Sequence, residues 1–203
     1  MRQRKHRHDA YFHKARAEQY AARSVYKLKE IDERHGLLRA GARVLDLGCR
    51  PGSWLQYAAG RIGEAGALVG LDRQPLDRAL PMPRPPTHTR IVVADVLTVQ
   101  AQDLLGSLAG FDVVLSDLAP DTTGIRSLDQ ARSEALFERA LDLALALTVP
   151  GGHFVGKLFQ GPDMKRLLAK ARAGFEKVAL EKPAGSRKQS IELYVVARGR
   201  RRS

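Results

Sequence analysis

The chain reads as a single-domain α/β protein, a Rossmann-like, doubly wound sheet of seven strands, and three observations predict it. Short apolar runs alternate with amphipathic stretches of helical period from residue 23 almost to the end, the pattern of successive βαβ units. The first of those runs passes directly into a loop with two glycines, VLDLGCRPGSW over Val44–Trp54, and a helical pattern follows. Length is the third: 203 residues suit one domain with one sizeable core.

Taken in order, RSVYKLKEIDER (Arg23–Arg34) places Val25, Leu28 and Ile31 on one helical face. Lys27 lies off that stripe and, taken alone, reads as an ordinary solvated lysine. Next comes the strand Val44–Leu47, ending in Gly48, Pro51 and Gly52 before a helix that includes Trp54. A strand, a tight loop and a helix N-terminus offer backbone N–H groups to a polar or anionic ligand at the carboxyl end of a parallel strand. Glycine at 48 and 52 permits close approach, and Pro51 fixes one φ. The spacing is G-x-x-x-G, so the dinucleotide fingerprint G-x-G-x-x-G is absent. Asp46 stands where an ammonium or a bridging water would be met, so a positively charged ligand fits better than a pyrophosphate.

The run ALVGLD (Ala67–Asp72) ends in an acid 24 residues after Gly48, close to the ~20-residue offset at which a carboxylate takes ribose hydroxyls in related folds. Pro75 to Pro86 holds five of the ten prolines and reads as a loop. RIVVADVL ends around Asp95, a place for contact with an adenine edge and equally for a loop-capping aspartate. In FDVVLSDLAP the apolar residues stop at Asp117, which puts its carboxylate at the sheet's carboxyl edge, where an acid without a purpose is costly. Ser127 and Gln130 then form a capping-box pattern, and Leu136, Ala140, Leu143 and Leu147 mark the buried face of a long helix. GGHFVGKLFQG is a strand interrupted by Lys157, expensive among Phe154, Val155, Leu158 and Phe159 unless it is paired or catalytic. His153 reads as structural. A basic amphipathic helix from about Asp163 to Ala173, an edge strand VALEKP, a loop with Arg187 and Lys188, and a closing strand IELYVVARG that begins at Glu192 complete the chain.

With 34 Lys and Arg against 22 Asp and Glu, the net charge of +12 calls for an anionic partner, and nucleic acid leads. Residues 1–23 carry seven Lys or Arg with Tyr11, Phe12 and Tyr20 among them, an arrangement that can hold phosphates and stack bases. The first eight read as a solvated tail, and so do the terminal arginines, with some affinity for RNA. His6, His8 and His13 do not form a metal-ligand set, and no metal is expected. No apolar run approaches the ~20 residues of a membrane span, and the basic N-terminus lacks the apolar core of a secretory signal. The single cysteine, Cys49, excludes an internal disulfide and suits a reducing cytoplasm. A monomer is expected.

RSVYKL, VLDLGCRPGSW, SDLAPDTTG, GGHFVGKLFQG and SRKQSIELY, in that order and spacing, resemble the FtsJ/RrmJ (RlmE) family of ribosomal RNA 2′-O-methyltransferases over about residues 10 to 199. The resemblance implies the sheet of an S-adenosylmethionine-dependent methyltransferase with its last hairpin partly antiparallel. It implies a basic extension at 1–22, a methyltransferase domain at 23–199 and a basic tail at 200–203. The family's Lys-Asp-Lys-Glu tetrad falls on Lys27, Asp117, Lys157 and Glu192. S-adenosylmethionine would be bound by Asp46, Gly48, Pro51, Gly52, Trp54, Asp72, Asp95 and Asp117. Cys49-Arg50 and Asp121 depart from the small pair and the Asn usual in the family, which bears on contacts to cofactor or RNA. The implied substrate is large-subunit ribosomal RNA in the assembled subunit, at a uridine near the peptidyl-transferase centre. Transfer RNA and cap methyltransferases share the tetrad, and a non-catalytic RNA-binding assembly factor on the same fold is the competing class.

A ribose 2′-hydroxyl is a poor nucleophile that must approach in line and lose its proton, so positioning and charge stabilisation matter most. Lys157 is the expected proton acceptor or the cation that steadies the developing alkoxide. Lys27 pushes it toward the neutral form and Asp117 toward the charged one, so both roles stay open. Asp117 would orient Lys157 and lie closest to the methyl, while Glu192 would orient a lysine or a ribose hydroxyl.

Overall fold

Each apolar run is a strand. In the computed structural model, which describes residues 11–77, 79–82, 85–184 and 191–202, they form one seven-stranded sheet in the order β3-β2-β1-β4-β5-β7-β6. The strands are β1 (Arg43–Leu47), β2 (Ala67–Asp72), β3 (His88–Val93), β4 (Phe111–Ser116), β5 (Thr148–Phe159), β6 (Phe175–Glu181) and β7 (Glu192–Arg200). The first five run parallel, and β7 enters antiparallel between β5 and β6. Because β1 is flanked by β2 on one side and β4 on the other, the winding reverses there and opens a crevice at the carboxyl ends.

The helices are α1 (residues 11–17), α2 (Val25–His35), α3 (Ser53–Ile62), α4 (Ala101–Leu105), α5 (Arg126–Leu147) and α6 (Met164–Gly174). One face of the sheet packs under α2 and α3, with Val25, Leu28, Ile31, Leu55, Val155, Tyr194 and Val196 in its core. The other packs under α5 and α6 around Phe137, Leu141, Phe154, Leu158 and Phe175. Tyr11, Ala15 and Tyr20 belong to the first core, so residues 11–22 are laid on the domain. Among the described residues no helix is long and apolar enough to cross a membrane.

Helix α2 ends as its sequence requires. Gly36 takes a left-handed φ of 63° and its N–H donates to Asp32 O at 2.7 Å. The buried Asp32 carboxylate accepts from Leu37 N, Leu38 N and Tyr57 OH at 2.9, 2.8 and 2.9 Å, which locks α2 to α3. Helix α5 departs from expectation. It begins at Arg126 with no side-chain cap, so Ser127 and Gln130 form no capping box. Asp129 instead holds the segment ahead of the helix, accepting from Thr123 N and Gly124 N at 2.7 and 3.2 Å, while Gln130 donates to Gln160 O. Of the expected buried face, Leu136 is only half-buried, and Phe137, Leu141 and Ala144 share the core with Ala140, Leu143 and Leu147. The short α4 was not foreseen, having too few residues to display a helical period.

Candidate active site

The antiparallel β7 brings its first residues to the edge where β1, β4 and β5 end. Its register sets Tyr194 directly opposite Lys157, and Glu192 opposite Phe159. Asp117 follows β4 by one residue, and Lys27 comes from the first turn of α2. The four tetrad residues thus arrive from separate elements and close into two ion pairs. Lys157 Nζ lies 3.1 Å from Asp117 Oδ1 and donates to the Asp117 main-chain O at 2.6 Å. Lys27 Nζ donates to Glu192 Oε1 at 2.5 Å. The Lys157 side chain is 7% exposed and that of Asp117 18%, so the pair is largely desolvated and each partner depends on the other.

Between the pairs stands Tyr194, which the sequence reading missed. Its hydroxyl donates to Asp117 Oδ1 at 2.6 Å, and Lys27 Nζ lies 5.7 Å from the centre of its ring. Burial, followed by the charges of Asp117 and Glu192, raises the phenol well above its usual range, so it stays a donor. A signal was present: Tyr194 is two residues beyond Glu192 in a strand and therefore on the same face.

Beside the tetrad a cavity of about 550 Å³ opens at the ends of β1, β2 and β4. Of the residues expected at a cofactor, Gly48, Asp72, Asp95 and Asp117 line it, together with Leu118 and Leu136, whereas Asp46, Pro51, Gly52 and Trp54 do not. Gly48 has φ 78°, and a Cβ there would come within 2.8 Å of Leu118 Cδ2, so only glycine keeps this wall where it is. The loop's amides are not held out to a ligand. Gly48 N and Cys49 N donate to Leu71 O at 2.8 and 3.0 Å, and Arg50 N donates to Asp72 Oδ2 at 3.0 Å. The turn folds back on β2, and the wall carries side-chain charges of both signs, Asp72, Asp95, Asp117 and Asp121 with Arg50, Arg73 and Arg132.

Asp46 is wholly buried, with neither carboxylate oxygen hydrogen-bonded among the described residues. Burial, then Asp117 and Asp72, pushes it well above the ordinary carboxylate range. Asp95 Oδ1 accepts from Leu97 N at 2.9 Å, so it caps its loop as well as lining the cavity. Trp54 donates to Ser24 O at 3.0 Å and packs 5.9 Å from the Tyr194 ring, a buttress behind Lys27. Gly52, at φ 109°, is covered by Leu80, and Pro51 follows a cis peptide bond. Arg50 reaches Gln74 and, at 2.5 Å, Asp77, which ties the segment after β2 to the loop. Asp121 is exposed and meets Arg73 at 3.3 Å.

His153 is structural, as expected: Nδ1 accepts from Gly199 N at 3.3 Å. Phe12, Arg16, Tyr20 and Arg23 line a second cavity near α1. His6, His8, Arg187 and Lys188 lie outside the described residues.

A doubly wound sheet with one antiparallel strand inserted near its edge, and a cavity beside the loop after β1, defines a Rossmann-like methyltransferase. The sequence model of the FtsJ-like methyltransferases matches residues 20–200, and the chain belongs to that family. It is 47% identical over 196 residues to ribosomal RNA large subunit methyltransferase E of Syntrophobacter fumaroxidans, covering 96% of this chain and 97% of the relative. It is 42% identical over 200 residues to the protein of the same name from Haloarcula marismortui, covering 95% and 75%. A solved structure of a protein named as a ribosomal RNA methyltransferase from Plasmodium falciparum superposes with a TM-score of 0.74 over 89% of this chain and 98% of its own. At 23% identity it speaks for the fold.

Proposed function

We propose that this methyltransferase uses S-adenosylmethionine to methylate a ribose 2′-hydroxyl of large-subunit ribosomal RNA in the cytoplasm, at a uridine near the peptidyl-transferase centre of the assembled subunit. One observation carries the reading: the ion pairs Lys27–Glu192 and Lys157–Asp117 converge on Tyr194 beside a cavity whose wall includes Asp72 and Asp95. The relatives named ribosomal RNA large subunit methyltransferase E support the choice of RNA, and the net charge of +12 suits a polyanion.

The cavity fits the cofactor by the chemistry of its donors. Asp72 would take ribose hydroxyls and Asp95 an adenine edge, with Val96, Leu118 and Leu136 as apolar surface for a flat ring. Asp46, wholly buried behind the Gly48–Gly52 loop and outside the cavity's lining, takes no direct part in this fit. S-adenosylmethionine supplies, when bound, a methyl group on a cationic sulfur. The protein's task is then the nucleophile. An ammonium has three hydrogens, and Lys157 directs its Nζ at two oxygens of Asp117, which leaves one hydrogen for the 2′-oxygen. A positive charge there stabilises the developing alkoxide as the hydroxyl proton passes to solvent water and the 2′-oxygen takes the methyl group. Asp117, held by Tyr194, keeps Lys157 in place, and the partly exposed Lys27–Glu192 pair orients the ribose.

The test is to incubate purified protein and S-adenosylmethionine with ribosomal subunits from a strain lacking the protein, then map ribose methylation. Transfer to one large-subunit uridine is expected. Transfer to transfer RNA alone, or none, would refute the assignment.

A further inference from the structure

Several basic side chains of the fold are matched by carboxylates: Arg43 by Asp112, Arg61 by Asp32, and Arg166 and Lys170 by Glu138. At the far end of β7 two cations instead face each other across the ladder. Arg198 stands in register between His153 of β5 and Lys177 of β6; with Lys177 it makes a like-charged pair, and like charges directly opposite in a ladder destabilise a sheet. Arg39, in the connection from α2 to β1, adds a further cation near enough to act on His153 together with Arg198. Among the described residues no ion pair takes Arg39, Lys177 or Arg198. Asp112, the acid that acts on His153, is already bound by Arg43 through N, Nε and Nη2 at 2.8, 2.9 and 2.9 Å. Glu176, the other acid at this end, is exposed beside Gly199.

Lys177 and Arg39 are exposed and Arg198 half-buried, and the exposed Arg201 and Arg202 extend the strip past the end of β7. A sheet that tolerates this repulsion is arranged for a polyanion. Its exposed members are cationic, without the apolar centre that a protein partner would use or the apolar anchors of a membrane contact. Glu192, Tyr194, Val196 and Arg198 alternate along one face of β7, so the strip lies about 20 Å from the tetrad at ~3.3 Å per residue.

We propose that Arg39, Lys177 and Arg198 form a second contact for RNA backbone phosphates, about 20 Å from the tetrad, so that the substrate is gripped at two points. The inference rests on the RNA methyltransferase reading above and deepens it: a large folded RNA reaches both contacts, whereas a fragment carrying only the target nucleotide reaches one.

The experiment compares the parental protein with Lys177→Ala/Arg198→Ala, measuring affinity for isolated large ribosomal subunits across a series of salt concentrations. The double variant is expected to bind about 10-fold more weakly at moderate salt, and its log–log salt slope to flatten by about 2, roughly one for each phosphate no longer neutralised. Binding of S-adenosylmethionine should be unchanged and Tm equal or higher, since like charges have been removed. Lys165→Ala/Arg126→Ala, which removes two exposed cations elsewhere, should bind as the parent does. An unchanged affinity and slope for the patch variant, or an equal loss in the control, overturns the second contact. So does a loss of binding to anionic vesicles with RNA binding intact. If the double variant fails to fold, Lys177→Ala alone, at an exposed position, should give about half the change in slope. The two readings fail separately: a parental protein that methylates no RNA refutes the proposed function, whereas a parent that methylates and a variant that binds equally well refute only the second contact.

Discussion

Replacing Lys157 by Met removes the ammonium while an unbranched side chain still fills its place, so the change subtracts charge more than volume. Asp117 then loses its cation. Breaking a fully buried pair costs about 3–5 kcal/mol, but the Asp117 side chain is 18% exposed and keeps the Tyr194 hydroxyl at 2.6 Å. The expected loss of stability is therefore about 2 kcal/mol, or roughly 4–8 °C in Tm for a chain of this length. The chemical step should suffer more. Losing a positioned acid-base or electrostatic group costs about 100-fold or more, near 2.7 kcal/mol of barrier. Single-turnover methyl transfer, with protein and S-adenosylmethionine in excess over RNA and at a temperature where the variant is folded, separates the two effects. Cofactor binding by calorimetry should survive, because the cavity's other acids remain. Lys157→Arg then sorts the roles, since arginine keeps the charge and cannot act as a base; activity well above that of the Met variant favours the electrostatic role. If Lys157→Met methylates at the parental rate, the ion pair with Asp117 is structural and the mechanism is wrong.

Asp72→Ala should weaken S-adenosylmethionine binding in calorimetry without unfolding the protein; preference of the parent for NAD would overturn the cofactor assignment. Asp46→Asn should leave Tm near the parental value at pH 7, because burial and neighbouring acids already disfavour the charged form. A fall of many degrees would mean that the carboxylate's charge is structural. Tyr194→Phe removes the 2.6 Å donor on Asp117 but leaves both Lys157 contacts, so its rate loss should be well below that of Lys157→Met; equal losses would give Tyr194 a direct part in the chemistry. Burial, with Arg39 and Arg198 beside it, lowers His153 below its ordinary value. The unfolded chain therefore takes up the proton first as pH falls, and stability should drop on acidification below about pH 6.5. His153→Gln should remove that component from a melting series between pH 7.5 and 5.5, and an unchanged slope would contradict it.

Much of this molecule was legible because its strands are short, apolar and bounded. Val44–Leu47, Ala67–Asp72 and Phe111–Ser116 could be read directly, and the cost of a lysine inside GGHFVGKLFQG flagged Lys157 without any fold in hand. Lys27 was not legible from its own surroundings. Its helical position is that of a solvated residue, and only the resemblance marked it, because the contact that matters, with Glu192, spans 165 residues. The loop amides were misjudged for a related reason. Their partners, Leu71 O and Asp72, lie on the neighbouring strand, so a local pattern of glycines suggested open donors where a tertiary contact had closed them. The α5 cap failed differently: the helix starts a residue before Ser127, so neither Ser127 nor Gln130 caps it, and Asp129 binds Thr123 and Gly124 ahead of the helix.

The direction of β7 explains why the site needs this architecture. Lys157 lies within β5 and Asp117 just beyond β4, so a parallel neighbour alone could form that pair. Glu192 is different. It is the first residue of β7, and a parallel β7 would leave it at the opposite edge of the sheet, roughly 25–30 Å away at ~3.3 Å per residue. Entering antiparallel, β7 delivers Glu192 and Tyr194 to the carboxyl edge, where Lys27 is held at the start of α2 and Trp54 backs the tyrosine ring. The same reversal carries Arg198 away to the other edge. One strand therefore supplies the carboxylate that pairs with Lys27, the phenol that steadies Asp117 and, at its far end, the cation left without an acid.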